Sequence, residues 1–191
     1  MEKVGVLAIQ GDFAEHCKIF RDLGVETSEV RLPHQLDELD GLVIPGGEST
    51  TITKLMEIYG LYGPVKRFAE SGRPIWGTCA GMIVSARRVL GDVLAPMGLI
   101  DLDVRRNAFG SQIDSFEADL PVPALEGPPF HAVFIRAPWI ERMGPEVELV
   151  TQLENGTPVA ARQGNVLVTS FHPELTDDAR FHNMFLEMGR R

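Results

Sequence analysis

Pro74-Ile75-Trp76-Gly77-Thr78-Cys79-Ala80-Gly81 reads as the end of a strand, a sharp bend and the start of a helix. Gly77 and Gly81 bracket a side chain able to act as a nucleophile, the cysteine form of a nucleophile elbow. Such a bend is tight, so small neighbours must flank it. It also sets a direction: the strand ends where open α/β sheets place their ligands, and the helix N-terminus behind favours a thiolate.

The surrounding pattern supports a parallel sheet. Residues 4–9 form a short apolar run, with Asp12 and Glu15 in a capping-box arrangement before a helix carrying Phe13, Cys17, Phe20 and Leu23. A second strand is expected over 25–31, and Gly41-Leu42-Val43-Ile44 supplies a third that ends in Pro45-Gly46-Gly47. A helix begins near Ser49, with Ile52, Leu55, Met56 and Tyr59 on one face. Another short one follows around Val65, Phe68 and Ala69, and a helix over 80–90 follows the elbow. Beyond Gly91 come short β-like runs, a hairpin formed by 157–162 and 166–171, and a last helix with Phe181, Met184, Phe185 and Met188 on one side. Alternating strands and helices predict an α/β fold: an open, mostly parallel, doubly wound sheet with flanking helices, plus antiparallel strands in the C-terminal half. No linker interrupts the chain, so residues 1–191 are read as a single domain.

Composition narrows the function. The 191 residues carry 18 Lys+Arg against 27 Asp+Glu, a net charge of −9 that argues against general binding to a phosphate backbone. Cys17 and Cys79 are far apart and lack zinc-site spacing, so a reducing, cytoplasmic compartment is expected. Neither a signal peptide nor a membrane-spanning run is evident.

A thiolate nucleophile needs a base, and the base an orienting group. Of the five histidines, His172 follows an apolar run and precedes Pro173-Glu174. In extended backbone, residues two apart share a side, so Glu174 can orient the imidazole. His16 reads as structural, and His182 as facing solvent on the last helix. His34 and His131 show no carboxylate partner in the sequence, and Cys17 belongs to the core. Pro45-Gly46-Gly47-Glu48-Ser49-Thr50-Thr51, also at a strand end, offers backbone N–H groups for an oxyanion, or else is a plain turn capped by Ser49.

Together, Gly77-Thr78-Cys79-Ala80-Gly81 and Phe171-His172-Pro173-Glu174 resemble the class I, triad-type glutamine amidotransferases, whose sheet is flavodoxin-like. The finer resemblance is to the glutaminase subunits of pyridoxal 5′-phosphate synthases. It rests on Gln10-Gly11, Glu15-His16, Gly46-Gly47-Glu48-Ser49-Thr50-Thr51, Arg106-Asn107-Ala108-Phe109-Gly110, Asp114-Ser115-Phe116-Glu117 and Phe134-Ile135-Arg136-Ala137-Pro138. The resemblance implies hydrolysis of L-glutamine to glutamate and ammonia. The ammonia would pass to a (β/α)8-barrel synthase subunit within a large hetero-oligomer, and docking would switch the glutaminase on. It implies Cys79, His172 and Glu174 as the catalytic triad and the backbone of Gly47 and Ala80 as the oxyanion hole. Gly47, Glu48, Ser49, Arg106, Ile135 and Arg136 become glutamine-binding positions. Gln10 and Gly11, at the end of the first strand, are candidates for the partner interface. No metal or organic cofactor is expected of the chain itself, because pyridoxal phosphate is the product of the complex. Two other readings stand beside this one: an amidotransferase subunit serving a different synthase, and a non-enzymatic binding protein using Cys79 as a redox sensor.

Overall fold

The computed structural model describes residues 1–91, 94–106 and 115–190. In chain order its elements begin β1 (Lys3–Leu7), α1 (Phe13–Asp22), β2 (Glu26–Val30), β3 (Gly41–Ile44), α2 (Ser49–Ile58), α3 (Tyr62–Glu70), β4 (Ile75–Thr78) and α4 (Ala80–Ser85). There follow β5 (Ala86–Leu90), β6 (Ile100–Arg105), β7 (Ser115–Leu120), β8 (Phe130–Ile135), β9 (Trp139–Met143), β10 (Glu148–Gln152), β11 (Pro158–Gln163), β12 (Val166–Thr169) and α5 (Arg180–Met188). Two 3-10 turns, Pro33–Leu36 and Pro173–Leu175, punctuate the loops.

The central sheet runs β10-β11-β12-β4-β3-β1-β2. From β12 to β2 every pairing is parallel, whereas β10, β11 and β12 are antiparallel neighbours, as the C-terminal hairpin predicts. Strands β3, β4 and β12 are buried along their whole length, which explains why they read as short continuous apolar runs. Helices cover both faces. Phe20 of α1 and Phe181 and Phe185 of α5 pack with Val4, Val6 and Trp76 on one side. Ile52 and Met56 of α2 and Val65 and Phe68 of α3 pack with Leu7, Leu42 and Ile44 on the other. Smaller sheets β5-β6-β9 and β7-β8 complete the C-terminal half. No helix among the described residues is long and apolar enough to cross a membrane.

This topology gathers chemistry at one edge. The loops leaving β1, β3, β4 and β12 all start at the carboxyl ends of parallel strands, so residues 10–12, 47–49, 79 and 172 converge there.

Several expectations need correction. The helix after the elbow stops at Ser85, and residues 86–90 form β5, paired in parallel with β6. Electrostatics and burial override the local helical pattern. Ala86 and Val89 enter the core, while Arg87 and Arg88 reach the buried Asp103 at 2.8 and 2.6 Å. A buried carboxylate needs such partners. Asp12 precedes α1 but makes no side-chain cap. His182 does not face solvent: it is fully buried against Phe20 and Trp76. His131 has two carboxylate partners, Asp119 at 2.8 Å and Glu117 at 3.0 Å, both on the facing strand β7. That pairing depends on strand register, which one segment alone does not reveal. Residues 107–110 and Asp114 of the quoted motifs lie outside the described residues.

The elbow glycines are required by packing. A Cβ on Gly81 would overlap the carbonyl oxygen of Ile44, and one on Gly77 would meet the carbonyl oxygen of Gly81. Backbone cannot yield as a flexible side chain does. Gly81→Ala is expected to lower the midpoint of thermal unfolding by roughly 10 °C, from about 3 kcal/mol of overpacking. Calorimetry of the variant beside the parent chain measures this.

Candidate active site

Cys79 joins β4 to α4. Its backbone sits at φ 47°, ψ −104°, strained for any side chain but glycine, and its N–H bonds the Thr169 carbonyl of β12 at 2.8 Å. Arg136, at φ 43°, is the other non-glycine residue with positive φ among the described residues. Both line the same cleft, a cavity of about 400 Å³, where such strain commonly collects. The Cys79 sulfur lies 3.9 Å from the Ile135 carbonyl oxygen, and the residue, 6% exposed, lines the cleft.

His172 comes from the far end of the chain, 172 − 79 = 93 residues downstream, carried by β12, the parallel neighbour of β4. Its N–H bonds the Val133 carbonyl at 2.9 Å. The imidazole shares the cleft with the Cys79 side chain, and its Nδ1 lies 2.8 Å from Glu174 Oε1. The route by which the carboxylate arrives differs from the sequence expectation. Residues 173–175 are a 3-10 turn, closed by the Leu175 N–H on the His172 carbonyl at 3.2 Å, so the chain curls back on itself instead of continuing extended. Burial alone would lower the His172 imidazole. Its interactions with Cys79 and with the Glu174 carboxylate outweigh burial and lift the group to about 10. Burial would raise the Glu174 carboxyl, yet the rings of His16 and His172 facing its two oxygens hold it well below the usual carboxylate range.

The glycine-rich loop after β3 forms another wall. Glu48, not Ser49, caps α2, accepting from the N–H groups of Thr50 and Thr51 at 3.2 and 2.7 Å and from both hydroxyls. Burial opposes ionisation, but these bonds pull the carboxyl down to about 2. Arg106 Nη2 pairs with the same carboxylate at 3.0 Å. Ser49 is buried and its hydroxyl has no partner among the described residues, an unspent polar group lining the cleft. Gln10 Oε1 accepts from the Glu48 N–H at 2.8 Å, and a side chain on Gly47 would collide with that amide. Ala80 begins α4, so its N–H has no acceptor within the helix.

Cys79, His172, Gly47, Ala80, Glu48, Ser49, Arg106, Ile135, Arg136, Gln10 and Gly11 all line this cleft; Glu174 stands behind His172, 5% exposed. Three nearby residues were given no place in the site by the sequence reading. Asp12 also lines the cleft, its Oδ2 3.5 Å from His172 Nδ1, and burial raises its carboxyl. His16 and His182 lie buried behind Glu174. Asp12 resembled a helix cap, and a histidine on an apolar helix face gives no sign of what it meets across the fold.

Residues 6–191 match the model of the SNO glutamine amidotransferase family. A Dehalococcoides mccartyi protein named pyridoxal 5′-phosphate synthase subunit PdxT is 56% identical over 190 residues, covering 98% of this chain and 97% of that one. A Herpetosiphon aurantiacus protein of the same name is 56% identical over 186 residues, covering 96% and 98%. A crystal structure of a glutamine amidotransferase superposes with a TM-score of 0.93 at 48% identity, over 98% of this chain and 99% of that one. With a family match spanning nearly its whole length, on a fold whose strand ends converge on one cysteine, the chain belongs to the SNO glutamine amidotransferase family.

Proposed function

We propose that Cys79, His172 and Glu174 form a catalytic triad that splits the side-chain amide of L-glutamine. The observation that carries the reading is the meeting of Cys79 and His172 in one cleft, with Glu174 hydrogen-bonded to the His172 ring from behind. Cys79 attacks the amide carbon, and the carbonyl electrons move onto oxygen. The N–H groups of Gly47 and Ala80 are suited to hold that oxyanion, a role whose loss typically costs about 10²–10³ in turnover. When the intermediate collapses, the C–N bond breaks and His172 gives its proton to departing ammonia. A glutamyl thioester remains on Cys79. His172 then takes a proton from water, the hydroxide attacks the thioester carbon, and the thiolate leaves with glutamate released. Glu174, bonded to Nδ1, holds the His172 ring in place and leaves its other nitrogen for these proton transfers.

The chain is the glutaminase subunit of a pyridoxal 5′-phosphate synthase, hydrolysing glutamine to supply ammonia to a synthase partner. That partner is a (β/α)8-barrel subunit in a hetero-oligomer that receives the ammonia internally and switches the glutaminase on by docking. Gln10 and Gly11 form part of the contact. Gln10 holds the Glu48 N–H, so movement of Gln10 on docking would reach the neighbouring Gly47 peptide. A cytoplasmic setting suits two cysteines that are both free. Measuring glutamate release with and without a pyridoxal-forming barrel synthase tests reaction, partner and activation together. Stimulation by that partner is expected, and equal rates in both arms would remove the docking claim.

Arg106 and Arg136 are suited to the α-carboxylate of glutamine, because guanidinium groups bind carboxylates in bidentate fashion. Lysine keeps the charge but not the fork. Arg106→Lys is therefore expected to raise KM for glutamine about tenfold with kcat little changed. Steady-state kinetics of the complex reads both, and an unchanged KM would remove Arg106 from the binding set.

A further inference from the structure

Behind the cleft, three buried side chains continue the series in a direction that the amide-splitting steps do not use. Glu174 has two carboxylate oxygens. Oε1 is taken by His172, while Oε2 is buried without a well-aligned hydrogen bond. The Nε2 of His16 lies 3.3 Å from Oε2 and 3.3 Å from the Thr78 hydroxyl, so it faces the gap between the two. On its other side, His16 Nδ1 lies 3.0 Å from His182 Nε2. Both histidines are 0% exposed. Each ring also sits edge-on to Trp76 of β4, at 5.4 Å for His16 and 5.0 Å for His182. The indole three residues before the nucleophile thus clamps both rings.

A carboxylate accepts and cannot donate, so a nitrogen facing Glu174 must bring the proton. An ionised oxygen left unpaired inside a protein is costly, and it leaves the carboxylate free to rotate away from the group it orients. We propose, on the basis of the triad reading above, that His16 is a positioning residue for the triad: its Nε2–H holds the second oxygen of Glu174, with its ring anchored by His182. The consequence is a Glu174 fixed at both oxygens, so that the Nδ1 bond, and with it the approach of His172 to the sulfur, keeps one geometry. Burial, with His16 beside it, lowers the His182 imidazole to about 2, so the anchor carries no charge that would compete for Glu174.

Two amide substitutions separate this role from plain packing. A glutamine at position 16 can place an N–H near the original Nε2, facing Glu174. An asparagine reaches only the original Nδ1, facing His182. In the intact complex with the synthase, His16→Asn is expected to lower kcat about tenfold or more, as loss of outer partners of functional histidines commonly does. His16→Gln should lose less, and KM for glutamine should stay unchanged in both. A glutamine-mimicking electrophile counts competent sites, so that kcat is expressed per folded molecule. Equal losses in the two variants, a larger loss in His16→Gln, or full activity in both would overturn the proposal. A measurement on the unaltered protein does not depend on either variant folding: nitrogen NMR of the imidazoles should show the His16 proton on Nε2, and a bare Nε2 would overturn it. Cys79→Ser, run in parallel, separates the two claims. If that variant keeps its activity, the triad reading falls; if it is dead while His16→Asn is fully active, only the role of His16 falls.

Discussion

Cys79→Ser is expected to lower glutamine hydrolysis by the whole complex on the order of 10⁴-fold, with the protein still folded. The substitution changes one atom at a site where the side chain meets a cleft, so packing is nearly unaffected. What disappears is the sulfur nucleophile in the cleft it shares with His172. A serine hydroxyl in the same place has to surrender its proton within the attacking step itself. Adding ammonium salt should restore product formation by the synthase partner, because only the ammonia supply has been removed. Thermal unfolding of the variant, glutamate release, and ammonium-supported synthesis are the three readouts. Glutamate release at the parent rate would show that another group attacks the amide.

His172→Asn is expected to come next in size, with a loss on the order of 10³-fold or more. The ring delivers the proton to ammonia and later takes one from water. Asparagine can do neither. The pH profile of the parent enzyme checks the same assignment from the other side. An imidazole lifted to about 10 by Cys79 and Glu174 stays protonated through neutral pH and is lost as an acid only on the alkaline side. Activity limited by proton delivery to ammonia should therefore fall as pH rises through that region. A profile that falls instead around the ordinary imidazole value would contradict the pairing.

Much of the fold was legible because its strands are buried on both faces and its turns are marked by glycine. Gly41–Ile44 is a strand as read, and α2 begins at Ser49 as its spacing implies. The elbow was legible because only a few residue types tolerate it. What the chain hid was whatever depends on partners distant in sequence. The segment 86–90 carries a helix-compatible pattern, but Arg87 and Arg88 find buried carboxylate on β6, and the segment becomes a strand. His182 sits on an amphipathic helix beside apolar positions, and nothing local indicates that His16 waits for it 166 residues away. His131 lacked a partner until register set it opposite Asp119. The dyad of His172 and Glu174 was found for a reason the structure replaces, since a 3-10 turn brings the groups together instead of strand alternation.

The claim on which the rest depends is that one of the two cysteines attacks the amide carbon. Treatment of the complex with a glutamine-mimicking electrophile, followed by mass spectrometry of its peptides, reads this directly. A single adduct on Cys79, prevented by excess glutamine and accompanied by loss of glutamate release, is the expected result. An adduct on Cys17, which is 1% exposed within the core, or an unmodified Cys79 in a fully inhibited enzyme, would contradict the account.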